Sequence, residues 1–209
     1  MELSVIIPAY NEEKYIEKTL RALHDTEVIV VCNGCTDRTA EIAGKYAHRI
    51  IVLPERGVSR ARNAGAATAS HQRLVFLDAD MGISDDLFQK IAESPFTIGT
   101  CKVRPDSDKV FDKVHYAVKS LIHHLGTCTG LLFCDKSIFD QAQGFEEHIS
   151  TKEDGRFLRR ARKLGTFGVV DAYVYNNMRR FRKKGYASIA WFWIREYLFP
   201  AKREYECVR

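Results

Sequence analysis

No apolar run in this chain reaches the ~20 residues that a membrane-spanning helix needs. The amino terminus, Met1-Glu2-Leu3-Ser4-Val5-Ile6-Ile7-Pro8, has no basic region, and its apolar stretch is too short for a signal peptide. The six cysteines are scattered rather than framed as a disulfide scaffold, so free thiols and a cytoplasmic setting are expected. No repeat, low-complexity tract or linker is visible, and His123, His124 and His148 show no ligand spacing. Charge of one sign barely dominates. A net charge of +5 gives no reason to expect a nucleic-acid partner, while it suits anionic substrates or a membrane surface. What remains is ordinary for a soluble globular chain, 45% hydrophobic and 28% charged, and 209 residues suffice for one well-cored domain.

Against that plain background one stretch stands out, Leu74-Val75-Phe76-Leu77-Asp78-Ala79-Asp80. Four apolar residues suit a strand buried on both faces, as in a parallel sheet covered by helices. The carboxylates then fall at the strand's carboxyl end, where open α/β sheets place ligands. Two acids so placed call for positive charge, and their oxygens suit a divalent cation such as Mn²⁺ or Mg²⁺. A polar turn with Asp80 capping the next helix is the plainer alternative.

The segments around it alternate. Leu3 to Ile7 reads as a strand stopped by Pro8, and Asn11 as the cap of a helix running through His24. Val28 to Val31 is a second strand, followed by a helix capped by Thr36. Ile50 to Leu53 is a third strand, and Val58 to Ser70 a small-residue helix. Strand–helix repetition of this kind argues for a parallel, right-handed α/β sheet. Further on, strands are expected at Phe96–Val103, Leu131–Cys134 and Gly168–Tyr175. Helices are expected at Val110–His124, Glu153–Leu164 and Tyr186–Phe199.

Four ordered segments carry a resemblance. They are Ser4-Val-Ile-Ile-Pro-Ala-Tyr-Asn-Glu-Glu13, Val30-Val-Cys-Asn-Gly-Cys-Thr-Asp-Arg-Thr39, Gly57-Val-Ser-Arg-Ala-Arg-Asn-Ala-Gly65 and Phe76-Leu-Asp-Ala-Asp80. In order and spacing the set resembles glycosyltransferase family 2, strongly over residues 3–82 and more loosely over 128–165. The resemblance implies an α/β protein of GT-A fold, with a mixed, mostly parallel sheet flanked by helices. It also implies a domain over 1–176 with a basic, aromatic appendage over 177–209. The implied activity is metal-dependent and inverting, moving a sugar from a UDP- or GDP-linked nucleotide-diphospho-sugar to an acceptor hydroxyl, a lipid-linked one included.

Residue by residue, the resemblance places Pro8, Ala9 and Tyr10 against the base and ribose, with Glu12 assisting. Asn33 stands where many relatives carry a base-binding acid, and Cys32 where they carry another. An amide both donates and accepts, so base recognition survives while a preference for uracil does not follow. Arg62 is placed beside the phosphates, which suits bidentate guanidinium contacts. Asp78 falls to the ribose or a metal-bound water, and Asp80 to the Mn²⁺ or Mg²⁺ ion. Gly82 replaces a further side-chain ligand found in some relatives. Glu153-Asp154 matches the family's Glu-Asp pair, which makes Asp154 the general base; two acids capping a basic helix is the alternative. Arg179 and Arg180 resemble a basic pair that closes over the diphosphate.

The segment from Met178 also reads as an interfacial anchor, a basic cluster followed by aromatics too few to span, on the inner face of a membrane. A core-packing or dimerising helix is the other reading. Within the family, transfer to a polyprenyl phosphate is the second mechanism, needing no strong base. From other classes, Cys32-Asn-Gly-Cys35 suits a thiol redox site, and a non-catalytic sugar-nucleotide binder would keep the pocket without turnover.

Overall fold

The computed structural model describes residues 2–124, 127–149, 152–186, 188, 189 and 191. The aromatic helix expected over 186–199 therefore lies, apart from its first residues, outside the described residues. In chain order the elements are β1 (Leu3–Ala9), α1 (Ile16–Leu20), β2 (Glu27–Asn33), α2 (Thr39–Ala43), β3 (Arg49–Leu53), α3 (Val58–Thr68), β4 (Arg73–Leu77) and β5 (Gly82–Ile83). They continue as α4 (Leu87–Glu93), β6 (Ile98–Pro105), α5 (Val110–His123), β7 (Leu131–Asp135), α6 (Lys136–Gln141), α7 (Glu153–Ala161), β8 (Phe167–Asn176) and α8 (Arg179–Lys184).

One sheet runs in the order β3-β2-β1-β4-β7-β6-β8-β5. Its β3-β2-β1-β4 half is parallel; β7 is antiparallel to β4 and β6, and β8 runs parallel to β6. The apolar runs explain the parallel half. Leu3, Val5, Ile7, Val28, Val30, Val75 and Leu77 face one core, while Ile6, Ile29, Val31, Leu74 and Phe76 face another. Both faces are buried, so alternation in the sequence disappears. Ile16 and Leu20 of α1 cover the first face, and Ala61 and Ala66 of α3 cover the second. The small residues of α3 let it lie close: a Cβ on Gly65 would meet Ile6 Cγ2 at 2.3 Å.

The strand continuing through Pro8 corrects the expectation of a stop there. Pairing of β1 with β4 ends at Ile6 whereas pairing with β2 runs on to Ala9, so Pro8 sits where the strand is bordered on one side only. Asn11 is not a helix cap. It adopts φ 54°, donates to Thr36 Oγ1 at 3.1 Å and accepts from Thr36 N–H at 2.7 Å, tying the loop after β1 to the loop after β2. Thr36 is thereby used in that tie, and the N–H of Thr39 at the start of α2 is instead accepted by Asp37 at 3.0 Å. The short elements β5, α4, α6 and α8 were not foreseen as separate elements, having too few residues to show a period.

Candidate active site

The loops that follow β1, β2 and β4 gather at the carboxyl edge of the parallel half. At the end of β1, the Ala9 carbonyl accepts from Asn33 Nδ2 at 2.8 Å and from Cys35 Sγ at 3.3 Å. Asn33 Oδ1 in turn accepts from Gly57 N–H at 3.0 Å. Both ends of this buried amide thus hold backbone, joining β1, β2 and the entry to α3. Tyr10 lies under the Arg56 guanidinium, 4.8 Å from its ring centroid.

Two arginines organise the acids. Arg62, from α3, is 10% exposed; its Nη1 donates to Glu153 Oε1 at 2.8 Å and its Nη2 reaches Asp78 Oδ1 at 3.3 Å. The guanidinium plane sits 5.1 Å from the Phe145 ring centroid. Arg179, from α8, holds Glu12 bidentately at 2.8 and 2.6 Å and Asp80 at 3.1 Å, over the Tyr15 ring. Chain positions more than a hundred residues apart therefore meet around Asp78 and Asp80.

Electrostatics follow from this crowding. Burial raises Asp78, with Arg62 opposing, and burial raises Glu153 against the same arginine. Burial pushes Asp80 up to about 7, with Arg179 pulling it down and Asp78 and Glu12 adding to the rise. For Arg62 burial pulls downward, but Glu153, Asp78 and Asp154 outweigh it and hold the guanidinium charged. Asp78 still keeps 43% of its side chain open to solvent, so the carboxylates line a cleft rather than a sealed core.

Asp154 opens α7 beside Glu153. Its Oδ1 accepts from Gly155 N–H at 2.7 Å, and its Oδ2 accepts from the Cys128 thiol at 3.5 Å. Burial, then the Asp154 charge, drives the Cys128 pKa well up, so the sulfur keeps its proton and serves as a donor. Lys119, from α5, faces the same group: burial lowers its pKa and the Asp154 charge opposes that. Asp78 N–H donates to the Gly130 carbonyl at 2.9 Å, which links the acid turn to the start of β7.

The structure thus brings Glu12, Asp78, Asp80, Arg62, Asp154 and Arg179 together, whereas Ala9 and Asn33 are buried and bonded to each other at the ends of β1 and β2. Arg180 follows Arg179 on α8 and is half-buried. Cys128, Lys119 and Phe145 were missed as site residues, and only Phe145, in the quoted Gly144-Phe145 segment, had a sequence signal. Cys32 and Cys35 are free thiols. Cys32 is fully buried and pushed up by its hydrogen bond with Cys35; Cys35, stabilised by Cys32, falls to about 7. The Cys35 thiol ties Ala9 to the Asn11 N–H, a structural use of the pair.

A curled mixed sheet with an acid turn after its fourth strand defines a GT-A nucleotide-sugar transferase fold. The glycosyl transferase family 2 model matches residues 4–121, more than half the sequence, and the chain belongs to that family, a family of glycosyltransferases. Among curated relatives it is 37% identical over 101 residues to the uncharacterized glycosyltransferase EpsJ of Bacillus subtilis, covering 44% of this chain and 29% of that one. It is 38% identical over 89 residues to validoxylamine A glucosyltransferase of Streptomyces hygroscopicus, covering 36% and 21%. The chain therefore spans less than a third of the length of these relatives. Among solved structures, Staphylococcus aureus TarS in complex with UDP-GlcNAc superposes with TM-score 0.71 at 23% identity, over 85% of this chain and 58% of that one. The mannosyltransferase PcManGT of Pyrobaculum calidifontis, in complex with GDP-Man and Mn²⁺, gives 0.67 at 20% identity, over 82% and 56%.

Proposed function

We propose that the chain moves a sugar from a nucleotide-diphospho-sugar, UDP- or GDP-linked, to an acceptor hydroxyl with inversion at the anomeric carbon. The observation that carries the reading is that Asp78 and Asp80, just past the carboxyl end of β4, lie close enough to Asp154, at the head of α7, for its charge to bear on Asp78. TarS with UDP-GlcNAc and PcManGT with GDP-Man and Mn²⁺, on the same fold, support the donor class.

A divalent cation fits the residues present. No group of three metal-ligating side chains forms among the described residues. Mg²⁺-type ions, however, are commonly held by one or two carboxylates, with substrate phosphates and water completing the shell. Asp80 would hold Mn²⁺ or Mg²⁺, with Asp78 on the ribose or a metal-bound water; Gly82 brings no further side-chain ligand. Such an ion would offset negative charge developing on the diphosphate. Pro8, Ala9 and Tyr10 would wall the base and ribose. Arg179, with Arg180 beside it, would turn from Glu12 and Asp80 to the phosphate oxygens. Arg62, with both Nη groups on carboxylates, would act on the phosphates mainly by fixing Asp78.

Asp154 would take the proton of the acceptor hydroxyl as its oxygen bonds to the anomeric carbon. The bond from that carbon to the diphosphate oxygen breaks, and nucleoside diphosphate leaves. The Cys128 thiol and the Gly155 N–H, both donating to it, orient the carboxylate. A polyprenyl phosphate acceptor is the second reading, favoured by five cations among the six residues of α8. It would bring a membrane surface to the carboxy-terminal basic and aromatic segment. A panel of UDP-, GDP- and dTDP-sugars with Mn²⁺ or Mg²⁺, followed by nucleoside diphosphate release, tests the proposal. Release from none of them, with no metal-dependent donor binding, overturns it.

A further inference from the structure

Helix α5 is turned inside out relative to an ordinary surface helix, whose apolar stripe faces the core. Its buried residues are Asp112, Tyr116 and His123. All three are held: Tyr186 O–H donates to Asp112, and Asn176 Nδ2 donates to the Tyr116 oxygen. His123 Nδ1 lies 2.9 Å from the Cys101 carbonyl oxygen and its Nε2 3.1 Å from Thr129 Oγ1. Ser120 Oγ adds a two-way tie to Val103, donating to its carbonyl at 2.8 Å and accepting from its N–H at 2.9 Å. Rotating the helix to bury its apolar side would orphan all of these groups, each at a cost. The outward face is therefore fixed. It carries Val110, Phe111, Val114, Val118, Leu121 and Ile122, between 44% and 76% exposed. Contiguous exposed apolar surface of this kind marks an interaction site.

The neighbouring surface is basic. The Phe111 ring meets Tyr186 edge-on at 4.9 Å, and the His115 ring lies 5.8 Å from Phe181, so α5 abuts α8. Arg182, Lys183 and Lys184 of α8 are exposed, and residues 177–191 include no Asp or Glu. Among the described residues, no helix is long and apolar enough to cross a membrane. An apolar helical face beside Lys and Arg is the composition of a helix lying in a lipid interface.

We propose that the outward face of α5 docks onto an anionic lipid surface, with its apolar side chains at the headgroup–acyl boundary and the α8 cations against the headgroups. Charge selects this occupant. A second copy apposed through the same face would bring two basic clusters together. Residues 192–209 carry four Lys and Arg against three Glu, so they bring no net negative charge. The inference goes beyond the transferase reading and does not depend on it, since docking requires neither donor nor turnover.

Flotation of the full chain with phosphatidylcholine vesicles, with and without phosphatidylserine, tests the proposal. Wild type should float with the anionic vesicles and dissociate in high salt. Val114→Ser/Leu121→Ser, both at exposed positions, should keep the wild-type Tm and lose roughly tenfold or more in partitioning. Lys183→Gln/Lys184→Gln should lose about fivefold per charge, on anionic vesicles only. Absence of flotation, or a Val114→Ser/Leu121→Ser variant floating like wild type, overturns the proposal. So does a lipid-free dimer that Leu121→Ser disperses, which assigns the face to a second copy. A chain ending at Trp191 that floats where the full chain does not also overturns it, by assigning the face to residues 192–209.

Discussion

Arg62 and Arg179 are each surrounded by acids, and the difference between them is instructive. Arg62 is contributed by the parallel half and ties Asp78, after β4, to Glu153, at the head of α7. Its own helix is pressed against β1 through Gly65. Arg179 comes from a six-residue helix with no buried residue, and it reaches back to Glu12 and Asp80. The first arginine is part of the frame; the second, itself only 14% exposed, stands on a short outer helix. One site therefore has a floor, formed by Arg62 and Asp78, and a rim, formed by Arg179 and Asp80.

The sharpest test of the floor-and-rim distinction is at the rim's acid. Asp80→Asn should lower turnover by about 10³-fold or more while leaving the fold intact, measured as nucleoside diphosphate release with Mn²⁺. Wild-type turnover in that variant would remove Asp80 from the donor site. Next come the arginines themselves. Arg62→Met strands buried carboxylates and should cost about 3–5 kcal/mol of stability by urea denaturation. Arg179→Met should cost about 1–2 kcal/mol and act mainly on donor KM. Equal destabilisation of the two variants would break the comparison. Asp154→Asn, at the floor's edge, should lower kcat by about 10²–10³-fold with donor binding retained. An active variant would favour the phosphate acceptor.

The smallest effect is with pH. The Asp80 carboxyl is raised from an ordinary 3.8 to about 7 in the folded chain, so its proton stabilises the metal-free fold most below the unfolded value. That contribution is lost as pH rises through 7. A cation must displace the proton, so Mn²⁺ affinity should strengthen by up to about tenfold per unit below pH 7 and level off above it. Calorimetry at two pH values, with Asp80→Asn as control, reads this. A flat profile would show that Asp80 does not hold the ion.

Much of the floor was legible in the sequence. The strands of the parallel half are runs of β-branched and aliphatic residues buried on both faces, and their ends fall within two residues of expectation. The acids after β4 announce themselves by standing against such a run. The second half was read less closely because its signals are short: α4, α6 and α8 have seven, six and six residues. Insertion of β7 between β4 and β6 depends on pairing distant in the chain. Contacts such as the Cys128 thiol on Asp154, or both amide ends of Asn33 on backbone, are tertiary events that leave no local pattern. The polarity of α5 could be read from its sequence, but not which side would be buried.

The hydrogen bond from Asp78 N–H to the Gly130 carbonyl has an engineering consequence. Residues 82–129 leave the acid turn and return to it at β7, which runs beside β4 in register from Leu77↔Leu131 to Arg73↔Asp135. The excursion is clipped at its two ends, yet it supplies β6 to the sheet and the Cys128 thiol to Asp154, so it is integral to both fold and site. Grafts from longer relatives would have to keep β6 and Cys128 as well as Asp78 and Gly130, whose φ of +70° disfavours any side chain. A graft that shifts the return by one residue would turn the β7 side chains to the opposite face of the sheet and pull the acid turn out of place.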